Sequence, residues 1–156
     1  MLRSLKHWLL VGVWMALIFL MSTNLGSAAN TSRFIEPLLR WLIPHISPHT
    51  IREIHFYIRK SAHLGEYAVL GGLLWRALRH TRMAAGRTPV RIALAALLLS
   101  AAYAATDEFH QSFVPTRTAS ARDVMIDTCG ALIGLCIVQV TIVFERRSLR
   151  SQGIIR

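Results

Sequence analysis

The run Asp123-Val-Met-Ile-Asp127-Thr-Cys129-Gly130-Ala-Leu-Ile-Gly134-Leu-Cys136-Ile-Val-Gln-Val-Thr-Ile-Val-Phe144 sets two carboxylates at the head of a stretch that is otherwise uncharged. Its length fits the ~17–25 residues that a helix needs to cross the hydrocarbon of a bilayer. A charge at the centre of such a helix costs at least about 2.5–3.5 kcal/mol, so ionisable groups persist there by pairing or by function. Two more apolar stretches repeat the design, each with a polar patch at one end. One carries Lys60-Ser-Ala-His63-Leu-Gly-Glu66-Tyr67, and the other ends in Asp107-Glu108-Phe-His110-Gln111. The loop that follows supplies Arg117 and Ser120.

Composition places these runs in a membrane protein: 53% of the residues are hydrophobic against 17% charged, with a mean hydropathy of +0.42. That balance is more apolar than an ordinary soluble domain. Four spans are expected, near Lys6–Met21, Ser61–Arg79, Arg91–Glu108 and Asp123–Phe144, so the fold class is an all-α polytopic bundle of a single domain over residues 1–156. The first span, with Arg3 and Lys6 before it and Gly26-Ser-Ala-Ala29 after it, also has the three-part pattern of a cleavable signal. Residues 145–156 form a basic tail.

The net charge of +10 is unevenly spread. With the N-terminus, the loop between spans 2 and 3 and the C-terminus on one side, that side holds 11 basic residues and the single acid Glu145, and the other holds 7 of each sign. The positive-inside rule then orients the chain with both termini in the cytosol. A lipid bilayer, rather than nucleic acid, is the partner this distribution implies. Cys129 and Cys136 stand seven apart, about 10 Å of helical rise, too far for a bridge within one helix. They read as small packing residues.

Between spans 1 and 2 lies a segment too apolar for a plain loop. Thr31 or Ser32 caps a helix with Phe34, Ile35, Leu38, Trp41 and Leu42 on one side and Arg33, Glu36 and Arg40 elsewhere, which suits the membrane interface on the side facing away from the cytosol. Ser47-Pro48 is an N-cap followed by proline at the first helical position, predicting a long helix that continues into span 2. On that helix Arg52, His55, Arg59, His63 and Glu66 fall within an arc of about 80° at 100° per residue. In span 4, Asp123, Asp127, Gly130 and Gly134 share a face on which a neighbouring helix can approach closely. Ser120 and Asp123 have the form of a capping box.

Counted at about 1.5 Å per residue from the basic ends, Glu66, Asp107 and Asp127 lie at about 20, 24 and 28 Å, near one boundary of a ~30 Å core. The candidate catalytic residues are therefore Asp107, Glu108, His63 and Glu66. The candidate ligand-binding residues are Lys60, Tyr67, His110, Gln111, Arg117, Asp123 and Asp127. Close carboxylates suit acid/base work because they cannot both ionise cheaply, and Lys60, Arg117 and Arg59 suit an anionic head group. The competing account is structural: Lys60, Arg117 and Arg122 neutralise Asp107, Glu108 and Asp123, while Gln111 and Tyr67 satisfy leftover acceptors. His63-x-x-Glu66 reverses the Glu-x-x-His order of diiron bundles and no His-Glu-x-x-His occurs, so no metal is assigned and the cofactor stays unknown. No serine has the setting of a nucleophile elbow.

Lys60-x-x-His63-x-x-Glu66-Tyr67, Asp107-Glu108-x-x-Gln111-x-Phe113-x-Pro115-x-Arg117, and Ser120-x-x-Asp123 followed by Gly130-x-x-x-Gly134 resemble the motifs of VanZ-like proteins. These are small multipass bacterial membrane proteins named for a member linked to low-level teicoplanin resistance. The resemblance spans roughly Ser61 to Leu135. It departs at Thr116, where glycine is usual, and at Asp127, where asparagine is common. It implies a cell-envelope role with a lipid-linked or glycopeptide ligand. Enzyme, binder and scaffold all remain compatible with it, and no oligomeric state follows.

Overall fold

A computed structural model of the chain describes residues 2–23, 28–81, 86–115, 117 and 119–152. Within them lie five helices and no strand: α1 (Leu2–Ser22), α2 (Ala28–Leu42), α3 (Pro48–Arg79), α4 (Pro89–Gln111) and α5 (Ala121–Ser151). The expected all-α class holds. Gly26 and Ser27, Thr116, and Arg82 and Arg156 lie outside the described residues.

The long helix starts where Ser47-Pro48 predicts. Ser47 Oγ accepts from Thr50 N at 3.1 Å, and Pro48 at the first position gives up no hydrogen bond because that N–H has no helical partner. Thr88-Pro89 repeats the device for α4, with Arg91 N donating to Thr88 Oγ1 at 3.4 Å. The third span therefore begins two residues ahead of Arg91. α2 begins at Ala28 rather than at a cap on Thr31 or Ser32, and it carries Pro37 inside. Its Phe34, Leu38, Trp41 and Leu42 are all exposed, and Arg40 pairs with Glu36 at 2.8 Å.

Three helical segments are long and apolar enough to cross a membrane: Ser4–Ser22, Pro89–Gln111 and Ala121–Ser151. The second expected span, Ser61–Arg79, falls outside that set because His63, Glu66, Arg76 and Arg79 interrupt its apolar run. It is instead defined by its neighbours, since α3 touches every other helix and packs most extensively on α5. His7 near the start of α1 stacks on His80 just beyond α3, ring centroids 4.5 Å apart. At the opposite end Lys60 of α3 pairs with Asp123 at the start of α5. So α1, α3, α4 and α5 alternate in direction. One end of the bundle gathers acids, the other bases. The 32 residues of α3 extend about 48 Å, longer than a ~30 Å core, and its first part projects past the acidic end to meet α2.

The exposed surface of the bundle is apolar: Leu9, Val13 and Leu17 on α1, Leu98 on α4, and Ile137 and Val140 on α5 all lie open. A monomer in water does not expose a continuous belt of this kind. The chain is a membrane protein. Cys129 and Cys136, expected to pack, are free and exposed; they lie on the side of α5 turned away from its glycine face.

That glycine face forms the α3–α5 seam. A Cβ on Gly71 would stand 2.7 Å from Ala131 O, and one on Gly130 or Gly134 would overlap Leu64 O or Ala68 O outright. The two backbones touch because no side chain intervenes, which is how small residues drive helix association in lipid. The same approach brings His63, one turn before Tyr67 on α3, up to Asp127 on α5.

Candidate functional site

The last turns of α4 bury Asp107, Glu108 and Gln111. Asp107 Oδ2 accepts from Ser22 Oγ at 2.7 Å and from Gln111 Nε2 at 3.1 Å, and Gln111 Nε2 also reaches Ser22 Oγ at 3.3 Å. This knot ties the end of α1 to α4. One turn earlier Tyr103 Oη donates to Met15 O at 2.6 Å, and Trp14 Nε1 donates to the backbone carbonyl of Glu66 at 2.9 Å. Helical carbonyls already accept one bond, so these are second bonds that use the free lone pair. α1 is thus a wall of the site.

Glu108 Oε2 accepts from the backbone N–H of Ser120 at 2.8 Å. In a capping box that donor belongs to the acid three residues into the helix. Here an acid from the neighbouring helix takes the place, so Asp123 does not cap; it pairs with Lys60. Ser120 Oγ accepts from Arg122 N at 3.1 Å, and Arg122 is exposed without an ion pair among the described residues. Of the cations and acids the structural account joins, Lys60 and Asp123 alone form an ion pair with one another among the described residues.

Arg117 does not meet a carboxylate directly. Its guanidinium donates to Met21 O at 2.5 Å and Thr23 O at 3.3 Å, closing the end of α1, while its Nε has no partner. Burial, and after it the positive charge of Arg59, lower the Arg117 pKa from the ordinary arginine value. The Arg59 and Arg117 guanidinium groups therefore lie within electrostatic reach of one another.

The centre of the cluster is underfilled. Asp127 is wholly buried with neither carboxylate oxygen hydrogen-bonded, and His63 Nδ1 stands 3.6 Å from Asp127 Oδ1. Asp107 Oδ1, Glu108 Oε1, Tyr67 Oη and His63 Nδ1 are likewise buried without partners. Tyr67 thus satisfies no acceptor, contrary to the structural account, whereas Gln111 does. One ligand atom each from His63, Asp107 and Asp127 lie within 4.8 Å of one another. Glu66 is within electrostatic reach of Asp107 and Arg117. His110 also lies within electrostatic reach of Asp107, its ring 4.4 Å from that of Phe19.

Above the cluster, in the direction in which α3 projects, a cavity of about 420 Å³ opens between α2 and α3, lined by Ser32, Glu36, Ile51, Arg52, His55, Phe56 and Arg59. It follows the basic stripe that the sequence places on α3. Neither Arg52 nor Arg59 makes an ion pair or hydrogen bond among the described residues.

The profile of the VanZ/LLP1 family matches residues 7–143. The chain belongs to the VanZ/LLP1 family. No curated protein and no solved structure matches it. The match runs from the start of α1 into the last part of α5, wider than the motif-bearing stretch from Ser61 to Leu135, and it includes the α1 residues that close this VanZ/LLP1 site. Two of those, Ser22 and Trp14, escaped the sequence reading. Ser22 had one faint signal, a hydroxyl at the end of an apolar run.

Proposed function

We propose that this VanZ/LLP1 protein binds the anionic head group of an amphipathic envelope lipid at the acidic end of its bundle. The observation that carries the reading is the cavity between α2 and α3. Arg52, His55 and Arg59 line it, with both arginines unpaired among the described residues, and Arg117 lies within electrostatic reach of Arg59. Lys60 is committed to Asp123, so Arg52 and Arg59 are the cations left to meet a phosphate, which guanidinium forks grip bidentately. The exposed apolar side of α2 would lie in the interface beside the lipid chain. With 11 of the 18 basic residues in the N-terminus, the α3–α4 connection and the C-terminus, the positive-inside rule favours both termini in the cytosol, in a bacterial inner membrane on this reading, and a cavity that faces outward. A lipid site there would alter how a glycopeptide such as teicoplanin meets its target.

A second reading is favoured by the unpartnered Asp107 Oδ1 and Glu108 Oε1: these carboxylates, with His63 and Glu66, would act as acid and base on a lipid-linked substrate. One titration separates the two. Purified protein in phosphatidylcholine nanodiscs, in EDTA, is titrated with a polyprenyl monophosphate. Saturable binding that weakens tenfold or more in Arg59→Ala, with the lipid recovered intact, supports the binding reading. Conversion of the lipid, lost in Glu108→Gln, would move the assignment to an enzyme. Binding that ignores Arg59→Ala and Arg52→Ala would remove the head-group site.

A further inference from the structure

We propose that His63, Asp107 and Asp127 form a binding site for one first-row divalent cation of the zinc or manganese class. The three side chains come from three helices, α3, α4 and α5, and their facing ligand atoms lie within 4.8 Å of one another. Bonds of about 2.0–2.2 Å from nitrogen and oxygen in tetrahedral geometry set such atoms about 3.3–3.6 Å apart, so the side chains need to close by about 1.3 Å at most. One imidazole with two carboxylates suits these metals better than magnesium or calcium, which take oxygen ligands.

A group of acids alone would not establish this. The deciding observation is that each of the three side chains keeps a buried polar atom without a hydrogen bond, the 3.6 Å approach of His63 to Asp127 being their one mutual contact. Asp127 is completely buried with both oxygens unpartnered, Asp107 is 2% exposed with Oδ1 unpartnered, and His63 Nδ1 is unpartnered as well. Buried carboxylates without a partner carry a large desolvation cost. The cations that could offset it are engaged elsewhere, Lys60 with Asp123 and Arg117 with the carbonyls of Met21 and Thr23.

The surroundings fit a bound cation. Asp107 Oδ2 is held by Ser22 and Gln111 while Oδ1 is left free of hydrogen bonds, the kind of second contact that orients a ligating carboxylate. Glu66, Glu108 and Asp123 lie within electrostatic reach of Asp127, and Arg59, Lys60 and Arg117 within reach of His63. The carboxylates touching the shared point outnumber the cations touching it, which are none among the described residues. Because the site needs all three helices in register, it would also fasten the bundle.

The test uses the full chain in detergent, stripped with EDTA and free of added lipid, titrated with zinc or manganese chloride by calorimetry and assayed for bound metal after desalting. About one ion per chain is expected. Asp127→Asn and His63→Gln should each weaken binding tenfold or more with helicity unchanged by circular dichroism, while His45→Ala with His49→Ala, at exposed sites, leaves it intact. Should Asp127→Asn fail to fold, His63→Gln decides, together with the imidazole-nitrogen coupling expected in pulsed electron paramagnetic resonance of the manganese form. Absence of stoichiometric binding, or binding indifferent to His63→Gln and lacking that coupling, overturns the site. The lipid titration contains EDTA and this one contains no lipid, so each assignment can fail alone.

Discussion

The two ends of the bundle treat charge in opposite ways. At the basic end Arg76, Arg79, Arg87 and Arg91 are all exposed, and the described contacts there are soft: Arg79 lies over Trp75 at 5.0 Å, and His7 stacks on His80. At the acidic end Asp107, Glu108 and Asp127 are buried, and oxygens of all three lack partners. Charge left in water costs the fold little, whereas charge buried without a partner works against it. A bundle needing only to hold its register has no use for the second arrangement, which is the physical case for a functional site at that end.

The largest test of this contrast strikes the seam that delivers Asp127 to His63. Gly134→Leu should prevent assembly, since even a Cβ at that position overlaps Ala68 O. Backbone cannot move aside as a flexible side chain can, so the cost exceeds the usual overpacking range of about 1–3 kcal/mol. Gly12→Leu has no atom within 4 Å of its Cβ and should leave the protein at normal abundance. Membrane abundance and thermal unfolding in detergent measure both. Equal abundance of the two variants would mean that the helices are not in contact at Gly134.

Next in size is the pair that joins α3 to α5. Lys60→Met leaves Asp123 about one-sixth exposed, with 17% of its side-chain surface open, and without its cation. Loss of a fully buried pair's partner costs about 3–5 kcal/mol; partial solvent access here reduces that to about 1–3 kcal/mol by the same reasoning. Lys60→Met with Asp123→Leu should recover most of the loss, because it removes the stranded charge. A double variant no better than the single one would show that Lys60 acts on some other group.

Ser22→Ala should cost less, about 0.5–2 kcal/mol for a hydrogen bond between helices in a membrane. It removes the shorter of the two bonds to Asp107 Oδ2. The same change should loosen whatever binds at Asp107 Oδ1, because an untethered carboxylate orients less well. Unfolding curves and the metal titration read the two effects separately.

Parts of this arrangement are legible in the sequence because they are local or periodic. The Ser47-Pro48 start of α3, the basic stripe of Arg52, His55 and Arg59, and the Gly130 and Gly134 face all follow from spacing along one helix. The capping-box alternative for Asp123 fails because Glu108, which takes the Ser120 N–H, sits 12 residues from Ser120 on another helix. Ser22 lies 85 residues from Asp107, and no short pattern connects them. The grouping of His63, Asp107 and Asp127 spans three helices, which is why motif spacing assigned no metal there. Composition also overcounted the spans that stand alone as apolar, since α3 crosses the bundle while carrying His63 and Glu66 on faces that its neighbours cover.

The smallest expected effect belongs to the basic end. Arg79→Gln with Arg87→Gln removes two exposed charges that line a cavity of about 290 Å³ beside Trp75, Gln139 and Ile142. Exposed substitutions of this kind stay within about 0.5 kcal/mol, and the loss of the Arg79–Trp75 contact fits inside that range at an exposed site. Stability should therefore hold while topology becomes less certain, because the loop between α3 and α4 has lost part of its inward bias. With Cys129 and Cys136 replaced, a cysteine at Ala84 in that loop should be unreactive to an impermeant reagent outside intact cells in the parent and gain a reactive fraction in the variant. Reactivity from outside in the parent would reverse the proposed orientation and turn the cavity between α2 and α3 toward the cytosol. An unfolding shift as large as that of Ser22→Ala would show that the basic end also bears structural strain, and the contrast between the two ends would no longer mark one of them as the site.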